Sequence, residues 1–158
     1  DILVALAKTR IRFLVFGGFA EVLVGAPIQT VDLDILIRRD TVGAEKALGA
    51  LRQLGFQPVD NNGNALRIET GRDVILFSQL RFVRRGSPAV DVFMKPPVAT
   101  FDALWGRRRR LALGNRSLAL FSIGDLLAAR RKFLRTKDIA RLAYLEDLAR
   151  DMKRRGRR

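Results

Sequence analysis

Two aspartates stand two residues apart inside an otherwise apolar run, Asp32 and Asp34 in "QTVDLDILI" (29–37). Val31, Leu33, Ile35 and Ile37 recur at period two, so the run reads as a strand and the two carboxylates share its other face. Like charges so placed repel until one takes up a proton or both meet a cation. A third carboxylate, Asp91, sits between Val90 and Val92 in "AVDVFM" (89–94) and joins them if the two strands are neighbours. The chain has no histidine and no cysteine, which removes imidazole bases, thiolate nucleophiles, disulfides and structural zinc. Oxygen ligands alone suit a hard ion, Mg²⁺ or Mn²⁺, and a pair of such ions about 3.5–4 Å apart serves phosphoryl and nucleotidyl transfer. The plainer reading has Asp32 and Asp34 facing solvent and Asp91 paired with an arginine.

Gly17 and Gly18 end the apolar strand "IRFLVFGG" and open a helix-like "FAEVLVGAP". A glycine pair there can be a mere tight turn, or it can bring backbone N–H groups up to a phosphate. Charge favours an anionic partner: 30 lysines and arginines stand against 16 acids, a net charge of +14. The basic residues cluster at 107–110, 129–135 and 153–158, a field suited to nucleic acid or polyphosphate. No apolar run reaches the length of a membrane span and nothing resembles a signal peptide, so a cytoplasmic protein without a membrane partner is expected. The sequence begins at Asp1 rather than methionine, which leaves its natural start open.

The elements that must position these groups follow in order. A short helix (1–10) precedes the Gly17–Gly18 strand and its helix. After the aspartate strand (30–37), a helix carries Leu48, Leu51 and Leu54 and closes at Gly55. "NNGN" (61–64) reads as a hairpin turn feeding paired strands near 65–69 and 73–78. The Asp91 strand, a short helix (99–105), a strand-like "LALGNRSLALF" and two helices near 123–134 and 138–152 complete the chain. The order predicts an α/β (α+β) fold, a mixed β-sheet flanked by helices with a helical C-terminal part. A single domain is expected, with a core over 1–114, helices packed on it over 115–152 and a basic tail at 153–158. Ser122 and Asp125 form a capping box for the first C-terminal helix. On that helix Ile123, Leu126, Leu127 and Leu134 make a stripe with Arg130 at its centre, where a guanidinium needs an anion: one of the three aspartates or a phosphate, unless it snorkels to water. Ile139, Leu142, Leu145, Ala149 and Met152 make the stripe of the last helix, with Asp138 at its start on the same face, where a carboxylate also suits the helix dipole.

"FLVFGGFAEVLVGAPIQTVDLDILI", followed by the Asp91 strand, resembles the signature of the polymerase-beta-like nucleotidyltransferase superfamily. "LFSIGDLLAARRKFLRTKDIARLAYLEDL" resembles the small stand-alone members grouped with the AbiEii and MenT-type toxins of toxin–antitoxin systems. The resemblance implies the polymerase-beta-like fold and transfer of a nucleoside monophosphate from a nucleoside triphosphate, with pyrophosphate released. Asp32, Asp34 and Asp91 would be catalytic and hold Mg²⁺ (or Mn²⁺). Gly17, Gly18, Arg130, Lys137 and Asp138 would bind the nucleotide, Arg130 standing where the family has a lysine. It implies a macromolecular acceptor hydroxyl, on RNA such as a tRNA 3′ end or on a protein, and a cognate antitoxin as partner. Two other readings share the core motif: a non-catalytic basic module that binds RNA or a partner, and a transferase acting on a small molecule such as an antibiotic, whose acceptor site is usually more acidic than this chain's charge suggests.

Overall fold

The structure, a computed structural model, describes residues 2–133 and 138–155. Helix α1 (Ile2–Lys8) leads into β1 (Phe13–Phe16), an unbroken apolar strand whose four side chains are all buried. Helix α2 (Gly17–Leu23) starts directly at the strand's end, and β2 (Asp32–Ile37) returns antiparallel to β1, with Phe16 opposite Asp34 and Phe13 opposite Ile37. Helix α3 (Thr41–Gln53) follows, capped by the Asp40 carboxylate, which accepts from Gly43 N at 2.7 Å. Then come β3 (Gln57–Val59), α4 (Gly71–Val74), β4 (Gln79–Val83) and β5 (Ala89–Phe93). Helix α5 (Phe101–Gly106), the hairpin β6 (Arg109–Leu113) and β7 (Arg116–Leu120), α6 (Ile123–Lys132) and α7 (Ile139–Arg155) complete it.

The strands form one seven-stranded mixed sheet in the order β3-β4-β5-β2-β1-β7-β6. β5 runs parallel to β2 and β7 parallel to β1, while the other pairings are antiparallel. Cross-strand partners share a face, so the register sorts the side chains. One face carries Leu33, Ile35 and Ile37 with Val90, Val92, Leu80 and Phe82, all buried and in one cluster with Ala44, Ala47, Leu48 and Leu51 of α3. The other carries Asp32, Asp34, Asp91 and Arg81 at one end, and Leu14, Leu36 and Phe93 towards the other. Each fully buried leucine or phenylalanine contributes about 1.5–3 kcal/mol of transfer free energy. That suffices to hold a few unfavourable carboxylates in place.

Three sequence expectations change. Residues 65–69 and 73–78 are not paired strands: 65–69 contributes one bridge, Val59 to Ala65, and 71–74 is helix α4. Thr70 and Asp73 form a reciprocal capping box that starts this helix, a local polar signal that outweighs the apolar run after it. The antiparallel partner of the Asp91 strand is β4, beyond both segments. Val31 lies ahead of β2 and is 75% exposed, so it is no part of the buried stripe. In α7 only Leu145 is buried; Ile139 and Met152, at 58% and 48% exposure, stand clear at the helix ends. Leu134 of the α6 stripe, Lys137 and residues 156–158 of the basic tail lie outside the described residues. Among the described residues no helix is long and apolar enough to cross a membrane.

Candidate active site

The register of β2 on β5 sets Asp34 directly beside Asp91, with Asp32 one step along the same face. All three line one cavity of about 510 Å³ together with Gly17, Gly18, Thr30, Arg81, Arg130 and Arg141. Gly17 sits at φ +64, and a Cβ there would collide with the Asp34 carboxylate. The turn therefore needs glycine twice, for its left-handed backbone and for room. Gly18 lies against Thr30, where a Cβ would stand 2.9 Å from Oγ1.

Electrostatics distinguish the three acids. Asp34 is pushed up to about 7, first by burial and then by the neighbouring charges of Asp91 and Asp32, while Arg130 and Arg81 pull it back. Among the described residues its carboxylate accepts no side-chain hydrogen bond. Asp91 is also raised, by burial first, against the lowering effect of Arg81. Arg81 lies opposite Asp91 on β4 and donates from Nη1 to Asp91 Oδ2 and from Nη2 to Asp32 Oδ1, both at 2.9 Å. Sequence reading missed this residue. Its signal is period-two placement in "QLRFV", where Leu80 and Phe82 point into the core and Arg81 must point the other way.

Arg130 meets an anion, though none of those expected. Its side chain, 9% exposed, donates from Nε to Glu21 Oε1 at 3.0 Å and from Nη2 to the same atom at 2.5 Å. Its Nη1 lies 3.1 Å from Asp138 Oδ2. Asp138 is fully buried and also lies 3.4 Å from Arg141, so in this arrangement it touches arginines rather than the cavity. Glu21 was the missed residue here, a single charge inside the apolar "FAEVLV" of α2. The pairing ties α2, α6 and the start of α7 together behind the cavity. Lys137, expected beside the nucleotide, lies outside the described residues. The Ser122 cap is present, its Oγ accepting from Asp125 N at 3.1 Å, and Asp125 is engaged by Arg107.

The donor set fits a hard divalent cation: three oxygen-bearing side chains on one face, one of them, Asp34, raised by burial and then by the charges of the other two. Among the described residues, however, no group of three or more acidic, histidine or cysteine side chains is drawn together at metal-holding distances. The Arg81 guanidinium spans Asp32 and Asp91 instead, so an ion at those carboxylates would compete with it.

No family model matches the chain, and no curated protein matches it. Among solved structures, a Thermotoga maritima protein whose description as a nucleotidyltransferase is itself an inference superposes with a TM-score of 0.57 at 14% identity. The match covers 97% of this chain and 89% of that one. Seven mixed strands with flanking helices, carrying the three aspartates on one face, thus form an α/β fold shared nearly end to end with that solved protein.

Proposed function

We propose that the protein is a metal-dependent nucleotidyltransferase that moves a nucleoside monophosphate from a nucleoside triphosphate to a hydroxyl of a macromolecular acceptor. The observation that carries this reading is the gathering of Asp32, Asp34 and Asp91 in one cavity, with Gly17 set against Asp34. Asp32, Asp34 and Asp91 would hold Mg²⁺ or Mn²⁺, which when bound supplies positive charge to the triphosphate and the departing pyrophosphate. The acceptor oxygen forms a bond to the α-phosphorus as the α–β bridging P–O bond breaks. The hydroxyl proton passes to a carboxylate of the site, and Asp91, beside Asp34 on the neighbouring strand, would take it or orient the hydroxyl. Gly17 and Gly18, at the start of α2, would offer backbone N–H groups to the phosphates. Arg81 and Arg141, which line the cavity, would neutralise phosphate charge, while Arg130 keeps its structural pairs. In such transfers positioning and electrostatics supply most of the catalysis.

The net charge of +14 favours RNA as the acceptor over a protein. The resemblance to toxins of toxin–antitoxin systems supports a regulated, growth-limiting role. One observation favours a second reading, a non-catalytic module: Arg81 pairs with one oxygen each of Asp32 and Asp91. The test is incubation with Mg²⁺, each labelled nucleoside triphosphate, total RNA and total cell protein. Label on RNA that vanishes with Asp34→Ala supports the transferase. Label on protein alone replaces the acceptor, and no label with any nucleotide overturns the reading in favour of the module.

A further inference from the structure

At the other end of β1 and β2 from the carboxylates the structure builds a second charged feature of opposite sign. A cavity of about 330 Å³ between the α1–β1 and β2–α3 connections is lined by Arg10, Arg12, Arg38 and Lys46, with Asp40 the sole acid. Asp40 is occupied in capping α3, and Arg38 is paired with Asp102 at 2.7 Å. Arg10, Arg12 and Lys46 make no ion pair among the described residues. The rim is stiffened by Trp105 of α5. Arg108 lies 4.3 Å and Arg12 5.7 Å from its ring centroid, and Phe101 stacks on it with centroids 6.0 Å apart. Arg108 is crowded by Arg110 and Arg12, and burial and this like charge lower its pKa. Arg12 and Arg108, held over one indole and in no ion pair among the described residues, are arranged for an anion from outside.

We infer that this face, built on Arg10, Arg12, Lys46 and Arg108, docks the phosphate backbone of a single-stranded RNA segment away from the reacting end. The inference rests on the reading of RNA as acceptor and adds where the RNA lies. Arg12 to Phe16 spans four residues of extended chain, about 14 Å. The residues between the basic face and the acid cavity, Phe13–Phe16, are buried, so one RNA strand contacting both runs over the elements that cover the sheet, its upstream phosphates on the former and its terminal hydroxyl at the latter. The sheet gives this separation a fixed length, since both ends belong to the same two strands.

The test measures binding of a fluorescein-labelled single-stranded RNA by anisotropy across a salt series, without nucleotide or divalent ion. Two triple variants with equal change in net charge are compared: Arg12→Glu/Lys46→Glu/Arg108→Glu, and Lys153→Glu/Arg154→Glu/Arg155→Glu on the exposed end of α7. The first should bind at least tenfold more weakly and flatten the slope of log affinity on log salt by about 2, at roughly 0.7 per lost phosphate contact. The second should lose less than threefold. If charge reversal beside Trp105 disturbs folding, seen by circular dichroism, the glutamine versions of the same three positions serve, with a loss of several-fold expected. Wild-type affinity in the first variant, or equal losses in both, overturns the inference. Because the assay holds no nucleotide, a protein that binds RNA through this face but labels no acceptor refutes the transferase and leaves the interface standing.

Discussion

Asp34 combines burial, two like-charged neighbours and a glycine pressed against its carboxylate. Its folded value near 7 lies above the ordinary 3.8, so between those values the folded state keeps a proton that the unfolded chain gives up. Stability is therefore lost as pH rises through that window, and the loss is complete above 7. Asp34→Asn removes the charge and should stabilise the protein by about 2 kcal/mol at pH 8, after allowance for solvent screening. The gain should shrink as pH falls and vanish near 4; thermal melts across this range check it, and a flat difference would refute the charge argument. The same variant should lose transfer activity, the usual trade between stability and a strained site. Arg81 acts in the opposite sense, relieving Asp32 and Asp91. Arg81→Gln removes the competitor and should tighten Mn²⁺ binding about tenfold, about 1.4 kcal/mol, as read by electron paramagnetic resonance titration. Weaker binding would mean that Arg81 orients the carboxylates rather than occupying them.

At the scale of elements, the β1–α2 turn and the α2–α6–α7 junction carry the site. Gly17→Ala must either leave φ +64 or push the Asp34 carboxylate aside. The backbone strain should cost about 1–2 kcal/mol, and the displaced carboxylate should lower activity by more than a hundredfold, measured by urea melts and by nucleotide transfer together. The junction depends on Arg130 between Glu21 and Asp138, three side chains that are at most 9% exposed. Arg130→Met leaves two buried carboxylates without this cation and should cost about 3–5 kcal/mol; a loss under 1 kcal/mol in denaturant titration would show the network relaxes. The strand-then-glycine-pair, the aspartate strand, the Asp91 strand and both C-terminal helices were legible in periodicity and caps. The segment 57–83 was not, because its identity turns on non-local pairing: β4 is a strand through β5, and the capping box at Thr70 claims for a helix residues whose apolar run suggests a strand.

For the whole molecule, a net charge of +14 on 158 residues implies self-repulsion. Raising NaCl from low concentration to 0.15 M shortens the Debye length to about 8 Å and should raise Tm by a few degrees; an unchanged or lower Tm would mean that specific ion pairs outweigh the general field. The charge is not spread evenly, since the sheet separates an acid cavity at one end of β1 and β2 from a basic one at the other. The sequence alone determined that Asp32 and Asp34 share a face, that Gly17 and Gly18 follow a strand, that Asp91 lies on a strand of its own and that Arg130 needs an anion. These follow from period two, from glycine's lack of a side chain and from the penalty on unpaired buried charge. Only the tertiary structure decided that Asp91 stands beside Asp34, that Arg81 spans Asp32 and Asp91, and that Arg130 answers to Glu21 and Asp138. Those facts depend on strand order, register and helix docking, which bring together residues as distant in sequence as Glu21 and Arg130 and which no local pattern encodes.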